Sequence, residues 1–197
     1  MAEPFLEVPV LEGRHVRLEP LEMRHADDLA RASGEGGLYR KWTTRIPAPH
    51  EVPAEIERRR ALHAASGMVP WATCRADTGE AVGMTTYCNL DPPNRRLEIG
   101  YTWLALAAQG TVLNPEAKLL QLTRAFEVLD CIAVEFRTHA MNHQSRAAIA
   151  RLGAKQDGVL RSHAIWRDGT LRDTVVFSIL AHEWPAVRAG LADRLAR

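Results

Sequence analysis

The 197-residue sequence has few cysteines, no long hydrophobic run and almost no excess of charge. Its three cysteines, Cys74, Cys88 and Cys131, are far apart and form no CxxC pair, so neither a disulfide framework nor a cysteine zinc site is favoured. The eight histidines show no HExxH spacing, and no GxSxG motif is present. The sequence therefore predicts buried free thiols, no metal and no serine-hydrolase chemistry.

Charge and hydropathy exclude further classes of protein. With 25 Lys and Arg against 24 Asp and Glu, the net charge of +1 gives no electrostatic reason to expect a nucleic-acid partner. No stretch reaches the roughly 20 apolar residues of a membrane-spanning helix. The N-terminal MAEPFLEVPVLEGR lacks the basic start and apolar core of a signal peptide. We therefore expect a cytoplasmic protein without membrane contact, built as a single domain over residues 1–197.

What the sequence does contain is an alternation of strand and helix patterns. Strands are predicted from apolar and polar alternation and from turn residues at 15–21, 69–75, 81–88, 97–104, 131–138, 159–161 and 174–180. Helices are predicted from helical spacing of apolar residues at 23–33, 54–66, 115–129, 145–152 and 183–195. The strands surround two central helices, of which the helix at 115–129 has the clearest apolar face.

The stretch QGTVLNPEAK, residues 109–118, opens that central helix. Asn114 suits an N-cap, Pro115 the first helical position and Glu116 the positive end of the helix dipole. A helix start offers free N–H groups and partial positive charge, so an anion binds there readily. The alternative is a well-capped helix after a tight turn, with no ligand.

Three stretches together carry a family resemblance: RRLEIGYTWL, QGTVLNPEAK and NHQSRAAIARLGA. In this order they resemble the GNAT superfamily of acetyl-coenzyme A-dependent N-acetyltransferases, most closely its RimJ/RimL-like branch. The resemblance runs from LEGRHVRLEPLEMRHADDL to RDTVVFSILAHEWP and so covers most of the chain. It implies an α+β fold of three layers, in which helices flank a mixed, largely antiparallel sheet. It also implies acetyl-CoA as cosubstrate, with direct attack of a primary amine on the thioester.

The resemblance also implies which residues bind the coenzyme. The family loop reads Gln/Arg-x-x-Gly-x-Gly/Ala; Gln109 matches it, whereas Val112 and Asn114 stand at the glycine and glycine or alanine places. Because a β-branched residue disfavours positive φ and close backbone approach, we expect a working but weakened site. The implied coenzyme contacts are Thr102, Trp103, Leu104, Gln109, Gly110, Thr111, Val112, Leu113, Asn114, Asn142 and Ser145.

Glu98 is the predicted general base. It lies eleven residues before Gln109, the spacing of the glutamate that serves this role in several GNAT enzymes. Strand alternation places Glu98, Gly100 and Thr102 on one face, where glycine leaves room for a substrate. The alternative is an edge carboxylate that pairs with a neighbouring arginine, Arg95 or Arg96.

Further candidates follow from the resemblance. Ser145 corresponds to a serine thought to protonate the departing thiolate in RimL-like enzymes, and Asn142 to an asparagine that helps hold the pantetheine arm; both could instead cap the helix. His163, near the place of a second acid or base in the family, suits proton transfer near neutral pH, although a lone strand histidine is often structural. The region that covers the acceptor pocket in this superfamily contains Tyr39, Arg40 and Trp42, which could equally form a packed surface lid.

The acceptor amine is the least determined part. An α-amino group loses its proton more readily than a lysine amine, so a single carboxylate base favours a protein N-terminus, an aminoacyl compound or a small-molecule amine of low pKa. Two non-catalytic alternatives stay open: an acyl-CoA-binding regulatory domain, indicated by the missing loop glycines, and an interaction module that keeps only the scaffold. A homodimer is possible.

Overall fold

The computed structural model describes residues 3–196, which form one mixed sheet with helices on both faces. The strands run in the order β1-β2-β3-β4-β5-β6-β8-β7, and every neighbouring pair is antiparallel except the parallel pair β5 and β6. Their bounds are β1 Leu11–Glu12, β2 Val16–Pro20, β3 Met68–Arg75, β4 Ala81–Asp91, β5 Arg96–Leu104, β6 Ala133–His139, β7 Lys155–Ile165 and β8 Leu171–Leu180. The predicted mixed, largely antiparallel sheet is confirmed.

Six α-helices within the described residues flank the sheet. Their bounds are α1 Glu3–Leu6, α2 Ala26–Gly34, α3 Val52–Ala64, α4 Leu113–Thr123, α5 His143–Ala150 and α6 Trp184–Ala196. Short 3₁₀ segments precede α2, α3 and α6, a longer one covers Glu35–Arg40, and α4 continues into a π-helical turn at Arg124–Val128. The five predicted helices correspond to α2–α6, with shifts of a few residues at their ends.

Two neighbouring threonines of β4 show how the layers are arranged. Arg59 of α3 donates to the Thr86 hydroxyl at 2.9 Å, whereas Gln121 of α4 accepts from the Thr85 hydroxyl at 3.1 Å. Because successive strand residues point to opposite faces, α3 and α4 must lie on opposite sides of the sheet. The fold therefore has three layers, as expected.

The core fills the space between these layers. On the α4 face, Phe126 stacks on Trp184 of α6 with ring centroids 5.3 Å apart, and Leu122 is fully buried. Trp71 of β3 and Tyr87 of β4 meet edge to face at 4.8 Å, and both are also fully buried. The apolar face predicted for the central helix is thus confirmed at Leu122 and Phe126.

Candidate active site

The centre of the sheet opens into a cleft between β5 and β6. Only three residue pairs join these parallel strands, and the last of them is Glu98 with Glu135. Beyond that pair β5 continues to Leu104 without a partner on its β6 side. No strand pairs with the backbone groups on this edge, because β4 occupies only the other edge; side chains bind the Tyr101 and Leu104 carbonyls.

A bulge in β5 decides which side chains face the cleft. Tyr101 has φ +50°, and the β4 register passes from Thr86 opposite Gly100 to Met84 opposite Trp103. One extra residue reverses the alternation beyond the bulge. Thr102 therefore meets Thr85 on the α4 face, with hydroxyl oxygens 2.8 Å apart. The prediction that Thr102 shares a face with Glu98 was wrong for this reason.

Arg59 of α3 holds the bulge. Its guanidinium donates to the Tyr101 carbonyl at 3.2 Å and to the Thr86 hydroxyl, and its charge is paired with Glu55 at 2.7 Å. Arg59 is almost completely buried. A positive φ costs conformational energy in a residue such as Tyr101. The buried Arg59 cation, paired with Glu55, holds the Tyr101 carbonyl in this conformation. Sequence analysis did not single out Arg59.

Glu98 lies at the point where the cleft opens, and only 7% of it is exposed. Asn89 donates its side-chain N–H to Glu98 Oε2 at 2.7 Å, and Arg137 Nε lies 3.5 Å from the same oxygen. Burial raises the pKa of the Glu98 carboxyl, opposed by the Asn89 hydrogen bond and the Arg137 charge. A carboxylate with a raised pKa is a better proton acceptor than an ordinary glutamate.

Neither alternative partner suggested by the sequence binds Glu98. Arg95 pairs with Asp130, and Arg96 pairs with Glu135. Gly100 instead shapes the carboxylate's surroundings, because a Cβ there would lie 2.8 Å from Glu98 Oε1. A larger residue at this place would push the Glu98 carboxylate aside.

The loop before α4 has an ordinary backbone at Val112. Val112 is the N-cap of α4 with φ −69°, its side chain is 38% exposed, and the positive φ of the loop falls on Gly110 at +75°. The expectation that valine strains this loop was therefore wrong. Asn114 and Pro115 lie inside the first turn of α4, so the predicted N-cap at Asn114 was also wrong.

The same loop presents several free donors. Within residues 3–196, the backbone N–H groups of Gly110, Thr111, Val112 and Asn114 form no hydrogen bond. The backbone N–H of Leu113, between Val112 and Asn114, donates a weak hydrogen bond to the Thr111 hydroxyl at 3.3 Å. Exposed N–H groups at a helix start fit the pyrophosphate of a coenzyme A molecule.

Glu116 has a different role from the one expected. It is buried and accepts the N–H groups of Arg14, His15 and Val16 at 2.7–2.9 Å. A Cβ on Gly13 would lie 2.6 Å from the Glu116 side chain, so this glycine admits the carboxylate. Glu116 thus fastens the start of α4 to the turn between β1 and β2 rather than only completing a helix dipole.

The start of α5 lies beside the loop. Asn142 caps α5 by accepting the Ser145 N–H at 3.1 Å, which confirms a capping role for this asparagine. Ser145 is half-buried, and its hydroxyl makes no hydrogen bond within residues 3–196. Gln144 donates to Gln109 Oε1 at 3.1 Å, and Gln109 donates to the Leu104 carbonyl at 2.8 Å. The structure therefore brings the starts of α4 and α5 together at the end of β5.

Trp42 packs against the end of β6. Its indole, 46% exposed, meets the His139 ring edge to face at 5.0 Å, and its carbonyl accepts the indole N–H of Trp166. Tyr39 and Arg40 interact with each other, since Arg40 Nε donates to the Tyr39 hydroxyl at 3.1 Å. Of the three residues predicted to cover an acceptor pocket, Trp42 has the clearest contacts with the sheet.

His163 is not a neighbour of Glu98. Its Nδ1 lies 3.1 Å from the Thr174 hydroxyl, and Thr174 is opposite His139 in the sheet. His139 lies four residues beyond Glu135, or roughly 13 Å along β6. His163 itself is exposed on β7, two strands beyond β6. Its catalytic role stays a prediction.

Lys118 is a buried cation that sequence analysis missed. Its Nζ donates to Gln121 Oε1 at 2.8 Å, to the Thr85 hydroxyl at 3.1 Å and to the Thr102 hydroxyl at 3.2 Å. Burial lowers its pKa from 10.5 to about 7. The signal was available, because Lys118 is one turn from the apolar Leu122 and so belongs to the buried face of α4.

One group of possible metal ligands also forms. Glu19, His25 and Cys74 are buried with their ligand atoms within 4.8 Å of one another. Two arginines already bind Glu19, Arg17 at 3.1 Å and Arg24 at 2.9 Å, and burial raises the pKa of the Cys74 thiol to about 12. A protonated thiol and a carboxylate already paired with two arginines are poor metal ligands, so the absence of a metal stays our prediction.

Comparisons with known proteins agree on the family and the fold. Residues 15–155 match the family model of the acetyltransferase (GNAT) domain. A provisionally named ribosomal N-acetyltransferase, YdaF of Bacillus subtilis (strain 168), is 35% identical over 106 residues, which are 54% of this chain and 57% of YdaF.

Solved structures extend the match to nearly the whole chain. A GCN5-related N-acetyltransferase from Brucella melitensis has a TM-score of 0.87 and 30% identity, over 96% of this chain and 86% of that one. Mycobacterium smegmatis RimJ, solved in complex with CoA-disulfide, has a TM-score of 0.76 and 25% identity, over 91% of this chain and 88% of that one.

A sheet with a cleft between its parallel strands, beside a helix start rich in free N–H groups, defines an acetyltransferase fold. The chain belongs to the GNAT acetyltransferase family, in its RimJ/RimL-like branch. Among residues 3–196, no helix is both long enough and apolar enough to cross a membrane.

Proposed function

We propose that this protein is an acetyl-CoA-dependent N-acetyltransferase acting on a primary amine, with Glu98 as general base. The observation that carries the proposal is the buried Glu98 carboxylate at the opening between β5 and β6, held by Asn89 and raised in pKa by burial. An amine that enters this opening loses its proton to Glu98 as its nitrogen attacks. No covalent intermediate on the protein is needed.

The described residues fit coenzyme A. The free N–H groups of Gly110, Thr111, Val112 and Asn114 would hold its pyrophosphate, and the unpaired edge of β5 from Thr102 to Leu104 would hold its pantetheine arm. Bound acetyl-CoA supplies the thioester carbon that the amine attacks. Thr102 and Leu104 contribute only backbone groups, so their side-chain types are not decisive.

Ser145 is the proposed acid. Its unengaged hydroxyl, at the start of α5 beside the loop, protonates the departing thiolate. The amine proton would leave through Glu98 and the thiolate proton would arrive through Ser145, so the two transfers use different residues. His163 stays a candidate for relaying a proton from solvent, at a distance from Glu98.

The proposed acceptor is an α-amine, and a protein N-terminus is the preferred form. Deprotonation at pH 7 costs about 1 kcal/mol for an α-amine and about 4.6 kcal/mol for a lysine amine, at 1.36 kcal/mol per pH unit. A single carboxylate base such as Glu98 is better suited to the smaller cost, which is that of deprotonating an α-amine. YdaF is named as a ribosomal N-acetyltransferase, which supports a ribosomal protein as the first acceptor to test. The proposed location of the reaction is the cytoplasm.

The first experiment is native mass spectrometry for co-purified coenzyme A, followed by thiol-release assays with peptide N-termini, amino acids and aminoglycosides. We expect binding of coenzyme A and turnover on at least one α-amine. Coenzyme binding without turnover would instead support a regulatory acyl-CoA-binding domain. The sequence suggested that alternative because the loop lacks the family's glycines. Val112 adopts an ordinary helical backbone, so the missing glycines no longer favour it.

A further inference from the structure

Two buried donors beyond Glu98 have no partner. His139 Nε2 and Arg172 Nε form no hydrogen bond within the described residues 3–196, although both atoms are shielded from solvent. His139 lies opposite Thr174 in the sheet, and Arg172 is two residues from Thr174 on β8. Strand alternation therefore puts both side chains on the face that also presents Glu98.

The hydrogen of His139 is on the unpartnered nitrogen. The Met141 backbone N–H donates to His139 Nδ1 at 3.1 Å, so Nδ1 carries the lone pair and Nε2 carries the hydrogen. The histidine is only 4% exposed, and burial, with the nearby Arg172 charge, lowers its pKa. His139 is thus held as a neutral N–H donor at physiological pH.

Arg172 lacks a counter-ion. Within residues 3–196 its guanidinium makes no ion pair and donates no side-chain hydrogen bond. It lies 4.7 Å from the Trp166 ring centroid, and the His139 ring meets the same indole edge to face at 5.7 Å. The half-buried arginine and the buried histidine thus contact the same indole ring. Each has an N–H donor without an acceptor among the described residues, and a ligand oxygen could accept from both.

We propose that Arg172 and His139 form a carboxylate subsite of the acceptor pocket. The inference rests on the proposed function: Glu98 receives the acceptor's amine, and Arg172 with His139 receives a carboxylate of the same molecule. The Arg172 charge also opposes the rise that burial causes in the pKa of the Glu98 carboxyl, and both side chains lie on one face of the sheet, so the proposed acceptor must reach from Glu98 towards the end of β6. The carboxylate belongs either to a free amino acid or to an acidic residue next to a peptide N-terminus.

Trp42 lies against the His139 side of this subsite. Its partly exposed indole is in the irregular segment that follows Arg40. In the proposal, the indole turns aside to let a carboxylate reach His139 Nε2. Such movement requires only a surface side chain to change rotamer, because the Trp42 carbonyl stays bound to Trp166.

The test compares pairs of acceptors in which one member has a carboxylate and the other an amide, with kcat/KM expressed per neutral amine. The peptides Ser-Asp-Gly-Gly and Ser-Asn-Gly-Gly form one pair, and serine with serinamide forms the other. We expect the wild-type kcat/KM to favour the carboxylate member of one pair by about 10–100-fold, the range for hydrogen bonds to charged groups. The pair that shows the preference identifies the source of the carboxylate.

Variants assign the preference to the subsite. Arg172→Gln should abolish it, mainly through KM, and His139→Phe should reduce it while keeping an aromatic ring. Arg161→Gln, which removes an exposed arginine paired with Asp173, is the matched control and should keep it. A wild-type protein that treats both pairs equally, or an Arg172→Gln variant that keeps the preference, overturns the subsite.

Binding measurements separate this proposal from the proposed function. Calorimetric titration of the same acceptors into protein saturated with coenzyme A should give the same preference in Kd, and Arg172→Gln should lose it. Binding preference without thiol release would support the subsite and contradict the acetyltransferase. Thiol release without any preference would do the opposite.

Discussion

Replacing Lys118 by methionine should change how the stability of the protein depends on pH. In the folded protein burial lowers the Lys118 pKa to about 7, whereas the unfolded chain keeps the ordinary value of 10.5. Between these values the unfolded state binds one more proton, so stability rises with pH. From pH 7.0 to 8.5 the linkage gives a gain of about 1.6 kcal/mol in the free energy of unfolding. The destabilisation caused by burying the Lys118 amine is largest below pH 7 and vanishes above the ordinary pKa of 10.5.

Urea denaturation at pH 7.0, 7.5, 8.0 and 8.5 measures this gain. The wild-type free energy of unfolding should increase across the series relative to Lys118→Met, whose curve lacks the lysine contribution. The window ends at 8.5 because burial raises the thiol pKa of Cys74 and Cys131 to about 12, which acts in the opposite direction at higher pH. Parallel curves for both proteins would refute the reasoning and show that the three oxygen acceptors around Lys118 keep it charged.

Three further substitutions test the geometry of the site. Gly100→Ala should displace the Glu98 carboxylate and lower kcat/KM about tenfold or more at little cost in melting temperature, and unchanged turnover would contradict it. Ser145→Ala should depress turnover with nearly normal acetyl-CoA binding by calorimetry, whereas a stability loss of about 0.5–2 kcal/mol with normal turnover would indicate a cap-only role. Val112→Gly should leave coenzyme binding equal or slightly weaker, because valine has an ordinary φ and glycine loses more conformational freedom; tighter binding would contradict this.

The sheet was predictable because alternation is a local property of the chain. The strand at 81–88 was predicted from its own residues and the preceding turn, and the structure extends it to Asp91. The edge strand β7 was predicted over only 159–161, since its residues are exposed on both faces and show no alternation. A left-handed residue at Ser162 interrupts its register as well.

Tertiary contacts explain what the sequence pattern missed in the site. A left-handed Tyr101 has no local signature, because Arg59 from a distant helix stabilises it. The start of α4 lies before Asn114, where Glu116 binds three N–H groups about 100 residues away in the chain. Family spacing identified Glu98, but its Asn89 hydrogen bond depends on how β4 and β5 meet.

The histidines show the same limit. His163 was chosen from its place in the family pattern, whereas the structure buries His139 between Trp42 and Trp166. Both tryptophans are distant from His139 in sequence, and nothing in the segment THAMN distinguishes its histidine from the others. Composition and spacing cannot reveal a hydrogen-bond donor that lacks a partner.

The most direct test of the central claim is the pH dependence of thiol release by the wild-type protein and by Glu98→Gln, with acetyl-CoA and a peptide acceptor. Because burial raises the Glu98 pKa, wild-type kcat/KM should fall at low pH with an apparent pKa above that of an ordinary glutamate. Glu98→Gln should lower kcat/KM about 10²–10⁴-fold and lose this step, while the Kd for acetyl-CoA hardly changes. Unaltered turnover of Glu98→Gln across pH 6–9 would contradict the assignment of Glu98 as the base.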